Sequence, residues 1–212
     1  MELLEKFLCE QLKRDEESLF AKFREYNRLV LEWNSKINLV SRKNESIENI
    51  LLNSVFFLTK FDFKPDASVL DIGTGGGFPG VPLKILFPGV SITLVDSIRK
   101  KINALSDIIS RLGFDNAKAV CSRAEDLKKD KTNRFDYIVS KSVAPLADLA
   151  DWALDMLNSG GSMLCIKGGD MTGEIKELKR KHKNVNTEVI DFTFESIYNI
   201  DDKRLVIIKK QE

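Results

Sequence analysis

The chain has 212 residues, 43% of them hydrophobic and 31% charged, which supplies a sizeable core and a well-solvated surface and excludes a disordered chain. Thirty-three Lys and Arg against 32 Asp and Glu leave a net charge of +1, which excludes a histone-like basic protein and an acidic tail but allows a local basic face. Cys9, Cys121 and Cys165 are scattered and odd in number and His182 is the only histidine, which argues against a disulfide framework, a His-rich metal centre and a Cys/His zinc site.

The N-terminus, Met1-Glu2-Leu3-Leu4-Glu5, lacks the basic region of a signal peptide, and a short helix is predicted over Glu2–Leu12. In a longer second helix Leu19, Phe20, Phe23, Tyr26, Val30, Trp33 and Ile37 recur every three or four residues, with Lys22, Arg24, Glu25, Arg28 and Glu32 on the other face. A third helix is expected from about 45 to 61. Its stretch from Ile50 to Leu58 is the most apolar in the chain, is too short for a bilayer and is broken by Asn53 and Ser54. The stripe holds no strict heptad, so residues 1–64 are expected to form a helical cap on a sheet rather than a free-standing coiled coil. These features predict a soluble, cytoplasmic protein without membrane or metal partners.

From Ser68 the pattern changes. Residues 69–72, Ser91–Asp96, Ala117–Cys121, 135–140 and 162–167 are short apolar runs, and helical segments over 81–87, 98–112, 146–157 and 172–183 lie between or after them. Strands buried on both faces and alternating with helices predict a parallel sheet. Residues 185–194 and 204–209 are joined by a polar loop too short for a crossover helix and predict an antiparallel closing pair. The expectation is an α/β, Rossmann-like domain over 65–212, with a mostly parallel seven-stranded sheet, forming one compact unit with the cap. His182 falls in the run Lys179-Arg180-Lys181-His182-Lys183, which reads as a solvated helix face.

The segment Val69-Leu70-Asp71-Ile72-Gly73-Thr74-Gly75-Gly76-Gly77-Phe78-Pro79-Gly80-Val81-Pro82 carries the chemistry. A tight turn needs one glycine; five in eight residues, between a buried strand and a helix, predict a backbone that closely approaches a nucleotide-like ligand. Gly73, Gly75 and Gly77 alternate and Phe78 comes next, which departs from the G-x-G-x-x-G dinucleotide fingerprint and disfavours NAD. Asp71 suits the ammonium of a methionine moiety better than a pyrophosphate. Asp96 ends the second strand, where a carboxylate takes both hydroxyls of a ribose. This is the pattern of S-adenosylmethionine (SAM) methyltransferases, in which the segment Ser122-Arg123-Ala124-Glu125-Asp126 encloses the adenine.

Gly73-Thr-Gly-Gly-Gly-Phe-Pro-Gly-Val-Pro82, Asp96-Ser97, Ser122-Arg123-x-Glu125, Ser140-Lys141-x-x-Ala144 and Lys167-Gly168 together resemble the bacterial small-subunit rRNA methyltransferase G family, also called glucose-inhibited division protein B. The resemblance runs from Asn38-Leu39 to the closing strands. It implies a class I SAM-dependent fold, methylation of guanine N7 in the 530 loop of 16S rRNA, and 16S rRNA or the small ribosomal subunit as partner of a monomer. Carried over, Gly73, Phe78, Asp96, Ser97, Ile98, Ala124 and Glu125 line the cofactor site, and position 141 faces both cofactor and RNA. The chain departs from the family in having Lys141 for the usual arginine, Ile50 and Asn53 in the place of a His-x-x-Asp pattern, and Val40 for a threonine.

Two absences accord with N7 chemistry. The [Asp/Asn]-Pro-Pro-aromatic loop of adenine-N6 enzymes is replaced by Ser140-Lys141-Ser142-Val143-Ala144-Pro145, and no cysteine follows a proline as in cytosine-C5 enzymes. Guanine N7 carries an in-plane lone pair and no proton, so alignment and desolvation suffice. Candidate RNA contacts are Arg42, Lys43, Arg123, Lys141, Lys167 and the 179–183 run. Lys141 and Lys167, at strand ends, are the expected positioning residues. Phe78 is a base stacker, a cofactor wall or core. The rival readings are a SAM-dependent methyltransferase on another RNA or a small molecule, and a non-catalytic SAM-binding ribosome-assembly factor.

Overall fold

The computed structural model describes residues 1–40 and 46–211. Arg42, Lys43 and the start of the predicted third helix lie outside the described residues. Five parallel strands, β1 (Ser68–Ile72), β2 (Ser91–Asp96), β3 (Ala117–Cys121), β4 (Phe135–Lys141) and β5 (Leu157–Gly168), share one sheet with β6 (Val185–Asp191) and β7 (Lys203–Lys210). The order is β3-β2-β1-β4-β5-β7-β6. β7 runs antiparallel to both β5 and β6, so the closing pair enters through its second member. Its first residue, Lys203, pairs with Gly168, the last residue of β5. The start of β7 therefore stands at the edge where the parallel strands end.

Helices α1 (Glu2–Leu12), α2 (Glu17–Lys36), α3 (Ile47–Val55), α4 (Gly80–Leu86) and α5 (Arg99–Arg111) cover one face of the sheet, and α6 (Ala124–Leu127), α7 (Leu146–Ala153) and α8 (Thr172–Lys181) the other. Along β1 the side chains alternate: Val69 joins Phe23, Leu51 and Leu105 in one cluster, while Leu70 and Ile72 join Leu149 and Met163 in the other. Both faces are apolar because both are covered. The α2 stripe buries Leu19, Phe20, Phe23, Tyr26, Leu29 and Val30. Trp33 is only half-buried and donates to Asp107 Oδ2 at 2.8 Å, pinning α2 to α5.

Three boundaries differ from expectation. The third helix ends at Val55 and continues as a 3-10 turn, Phe56–Thr59. β5 begins at Leu157, earlier than the predicted 162, because a register shift against Phe135 and Tyr137 and a positive φ of 71° at Gly160 let the glycine-rich stretch remain in the strand. The loop after β6 is not merely polar. Tyr198 and Ile200 are buried, the Tyr198 hydroxyl donates to Glu10 Oε2 at 2.8 Å, and its ring lies edge-on to Phe7 at 5.1 Å. Among the described residues no helix is long and apolar enough to cross a membrane.

Candidate functional site

The loop from Gly73 to Pro79 turns the chain from β1 into α4, and its alternating glycines have separate reasons. Gly77 has φ 100°, and a Cβ there would come within 2.8 Å of the Tyr26 hydroxyl and of Val81 Cγ2. It packs under the cap, not against a ligand, which corrects the expectation that all three glycines line a cofactor site. Gly75 has φ 57° and open space around it, the nearest atom to a Cβ being Gly73 O at 3.9 Å. That is the position where a ligand can approach the backbone closely.

Asp71 is fully buried beneath this loop. Its Oδ2 accepts hydrogen bonds from Thr74 Oγ1 at 2.7 Å and Gly80 N at 2.9 Å, tying the two ends of the loop together. Oδ1 has no hydrogen-bond partner among the described residues. Burial pushes the carboxyl up to about 7, against the pull of those hydrogen bonds and of Lys141. With no exposed surface, Asp71 shapes the loop rather than receiving a ligand's ammonium, a second correction.

Asp96, at the end of β2, is half-buried and held at both oxygens: Oδ2 accepts from Gly75 N at 3.1 Å and Oδ1 from Ile98 N at 2.9 Å. Two backbone N–H groups thus orient the carboxylate at a cavity of about 330 Å³, within the size range of small-molecule clefts. Of the expected residues, Gly73, Asp96, Ser97, Arg123, Ala124, Glu125 and Lys141 line it. Gly75 and Ile98 lie outside the lining, Gly75 beside it in contact with Asp96 Oδ2 and Ile98 41% exposed. Val143 and Trp152 complete the walls and were not foreseen. The available signal for Trp152 was a large aromatic off the apolar stripe of α7, between Asp151 and the buried Ala153. The cavity sits at the carboxyl ends of β1, β2 and β4, the ligand edge of such sheets.

Phe78 does not face this cavity. Its ring is 5% exposed, lies 5.5 Å from the Tyr26 ring, and has Lys141 Nζ 5.9 Å from its centroid. Tyr26 also donates to Gly76 O at 2.8 Å. Phe78 is core beneath the cap, packed against Tyr26 of α2. Lys167 also departs from expectation. It ends up 8% exposed, with Nζ donating to Ala144 O and Glu174 Oε2, both at 2.7 Å. Its charge is neutralised inside the fold and joins β5 to α8, so it is not a phosphate contact.

Arg123 is exposed at the entrance to α6. The basic run is largely taken up by acids: Arg180 pairs with Glu177, Lys181 lies 3.6 Å from both Asp148 and Asp151, and His182 Nε2 lies 2.8 Å from Asp151 Oδ1. The run is a solvated face as expected, with Lys179, Arg180, Lys181 and Lys183 exposed, and Lys181 and His182 also reach acids of α7. Cys165 is buried in β5 and Cys121 is half-buried. Beside the main cavity a second one of about 70 Å³ is lined by Asn53, Lys141, Ser142, Ile166, Lys167 and Lys203, so it shares Lys141 and Ser142 with the first. Lys203 carried no signal in a strand-by-strand reading, because it begins its strand rather than ending one.

Comparison with known proteins agrees with this geometry. A family model described as rRNA small subunit methyltransferase G matches residues 19–200. The ribosomal RNA small subunit methyltransferase G of Chlorobium luteolum is 41% identical over 195 residues, 88% of this chain and 79% of that protein. The protein of the same name from Porphyromonas gingivalis is 38% identical over 208 residues, 93% of this chain and 88% of its own length. The crystal structure of ribosomal protein L11 methylase from Lactobacillus delbrueckii subsp. bulgaricus shares the fold at a TM-score of 0.56 and 16% identity, over 76% of this chain and 77% of that one. The chain belongs to the rRNA small subunit methyltransferase G family.

Proposed function

We propose that the protein transfers the methyl group of SAM to guanine N7 in the 530 loop of 16S rRNA, acting as a monomer in the cytoplasm on the rRNA or the small subunit. The observation that carries this reading is Asp96, oriented by two backbone N–H groups at the wall of a nucleoside-sized cavity, in a chain of this family. The remaining lone pairs of that carboxylate fit a ribose diol. Ala124 and Glu125, at the N-terminus of α6, fit an adenine, and the open backbone at Gly75 fits a methionine chain. When bound, SAM supplies an electrophilic sulfonium methyl.

The chain's own residues do the rest. Val143, against Gly73, and Trp152 give the cavity apolar walls. Lys141, at the end of β4, stands between cofactor and substrate sides. Guanine N7 has no proton to lose, so the site needs alignment rather than a base. The cap, residues 1–64, works in one unit with residues 65–212, since Tyr26 holds the Gly76 carbonyl. Mass mapping of methylated guanines in 16S rRNA from cells with and without the protein tests the reading: one N7-methylguanine in the 530 loop should disappear with it. Unchanged rRNA, with SAM still bound tightly by the purified protein, would leave a non-catalytic assembly factor or another substrate.

A further inference from the structure

We propose that Lys203, together with Lys141 and Asn53, forms a subsite for one phosphate group of the substrate's backbone, immediately beside the cofactor cavity; this rests on the reading above that the substrate is RNA. The placement comes from topology. A parallel strand brings its last residue to the ligand edge, but β7 runs the other way and brings its first, Lys203, opposite Gly168. Lys203 from β7, Lys141 from the end of β4 and Asn53 from α3 then line one cavity of about 70 Å³. That volume suits a compact tetrahedral anion and is far too small for a nucleobase.

The charges around it favour an anion. Lys167, the third lysine in the lining, is already neutralised by Glu174 at 2.7 Å. Among the described residues no carboxylate lies within ion-pair distance of Lys203. The acids nearest it in sequence and across the strand pair, Asp202 and Asp191, are instead engaged by Arg204 at 2.8 and 2.7 Å. Ser142, shared by both cavities, and the Asn53 amide add neutral hydrogen-bonding groups of the kind that position a phosphate without reading sequence.

The test compares guanosine 5′-monophosphate with guanosine, titrated into the protein saturated with S-adenosylhomocysteine. The monophosphate should bind about tenfold more tightly to the wild type, a charge-assisted contact's worth. That margin should vanish in Lys203→Ala and Lys203→Gln and survive in Lys203→Arg, while Lys209→Ala, at the far end of β7, keeps it. The affinity for S-adenosylhomocysteine should not change in any of them. On a 16S fragment, Lys203→Ala should raise KM with little change in kcat and lower the salt slope of binding by about 1. Equal binding of both probes by the wild type, or an undiminished margin in folded Lys203→Gln, overturns the subsite even if 16S methylation is found. Conversely, a margin that depends on Lys203 in a protein that leaves 16S rRNA unmethylated keeps the anion site and removes the assigned substrate.

Discussion

Asp71 is the residue whose chemistry is most displaced by its surroundings. Folded, its carboxyl titrates at about 7; unfolded, it has its ordinary value near 4. Below about pH 4 both states hold the proton, and between about 4 and 7 only the folded state does. Its contribution to stability therefore falls as pH rises through that window and is constant above it. Asp71→Asn keeps an acceptor for the Gly80 N–H, so it should gain stability on wild type between about pH 5 and about pH 8 in urea unfolding. An equal difference at both values would show that the buried carboxyl ionises normally. Gly75→Val places a side chain at φ 57° and in the open space above the loop, and should abolish SAM binding by calorimetry without unfolding the chain. His182, paired with Asp151 and absent from the cavity lining, should be a bystander. Single-turnover rates at saturating SAM and RNA should stay flat from about pH 6 to about pH 9 in wild type and in His182→Ala. An ascending limb lost in His182→Ala would mean that a base is at work and that N7 is the wrong acceptor.

At the scale of elements, α2 and β5 each carry a side chain that ties its element to a distant segment. Tyr26 reaches from the cap to the glycine loop, donating to Gly76 O and packing on Phe78. Tyr26→Phe leaves a buried carbonyl unsatisfied and should cost about 1–2 kcal/mol of stability, together with a weaker affinity for SAM. A loss of stability with unchanged SAM affinity would confine Tyr26 to packing. Lys167 and Lys141 end neighbouring strands, yet they should behave oppositely. Lys167→Ala removes a buried link from β5 to Ala144 O and to Glu174 of α8 and should lower stability by about 2 kcal/mol. Lys141→Ala should reduce turnover on RNA far more than SAM affinity. Paired melts and kinetics separate the two.

At the scale of the whole molecule, the strand-helix alternation, the antiparallel closing pair and the N-terminal helices were legible in the sequence, and the residues it singled out that line the cavity are Gly73, Asp96, Ser97, Arg123, Ala124, Glu125 and Lys141. These features are local. A glycine pattern between a strand and a helix, or an acid at a strand's last residue, takes its meaning from the few residues on either side, because the parallel sheet brings every such strand end to one edge. Contacts between distant segments decided the remainder. Phe78 is core because Tyr26, 52 positions earlier, covers it. Lys167 is ion-paired because Glu174 of the next helix reaches its ammonium, and Lys181 is tied to α7 because that helix presents Asp148 and Asp151 to it. Asp71 is driven up because a loop and a helix close over it. Lys203 joins Lys141 and Asn53 because an antiparallel strand enters the sheet beside β5. The sequence by itself determined which chemistry the ligand edge carries. Which of its charges remain at that edge was decided by tertiary packing, since a charge is neutralised or kept by partners that the chain order does not place beside it.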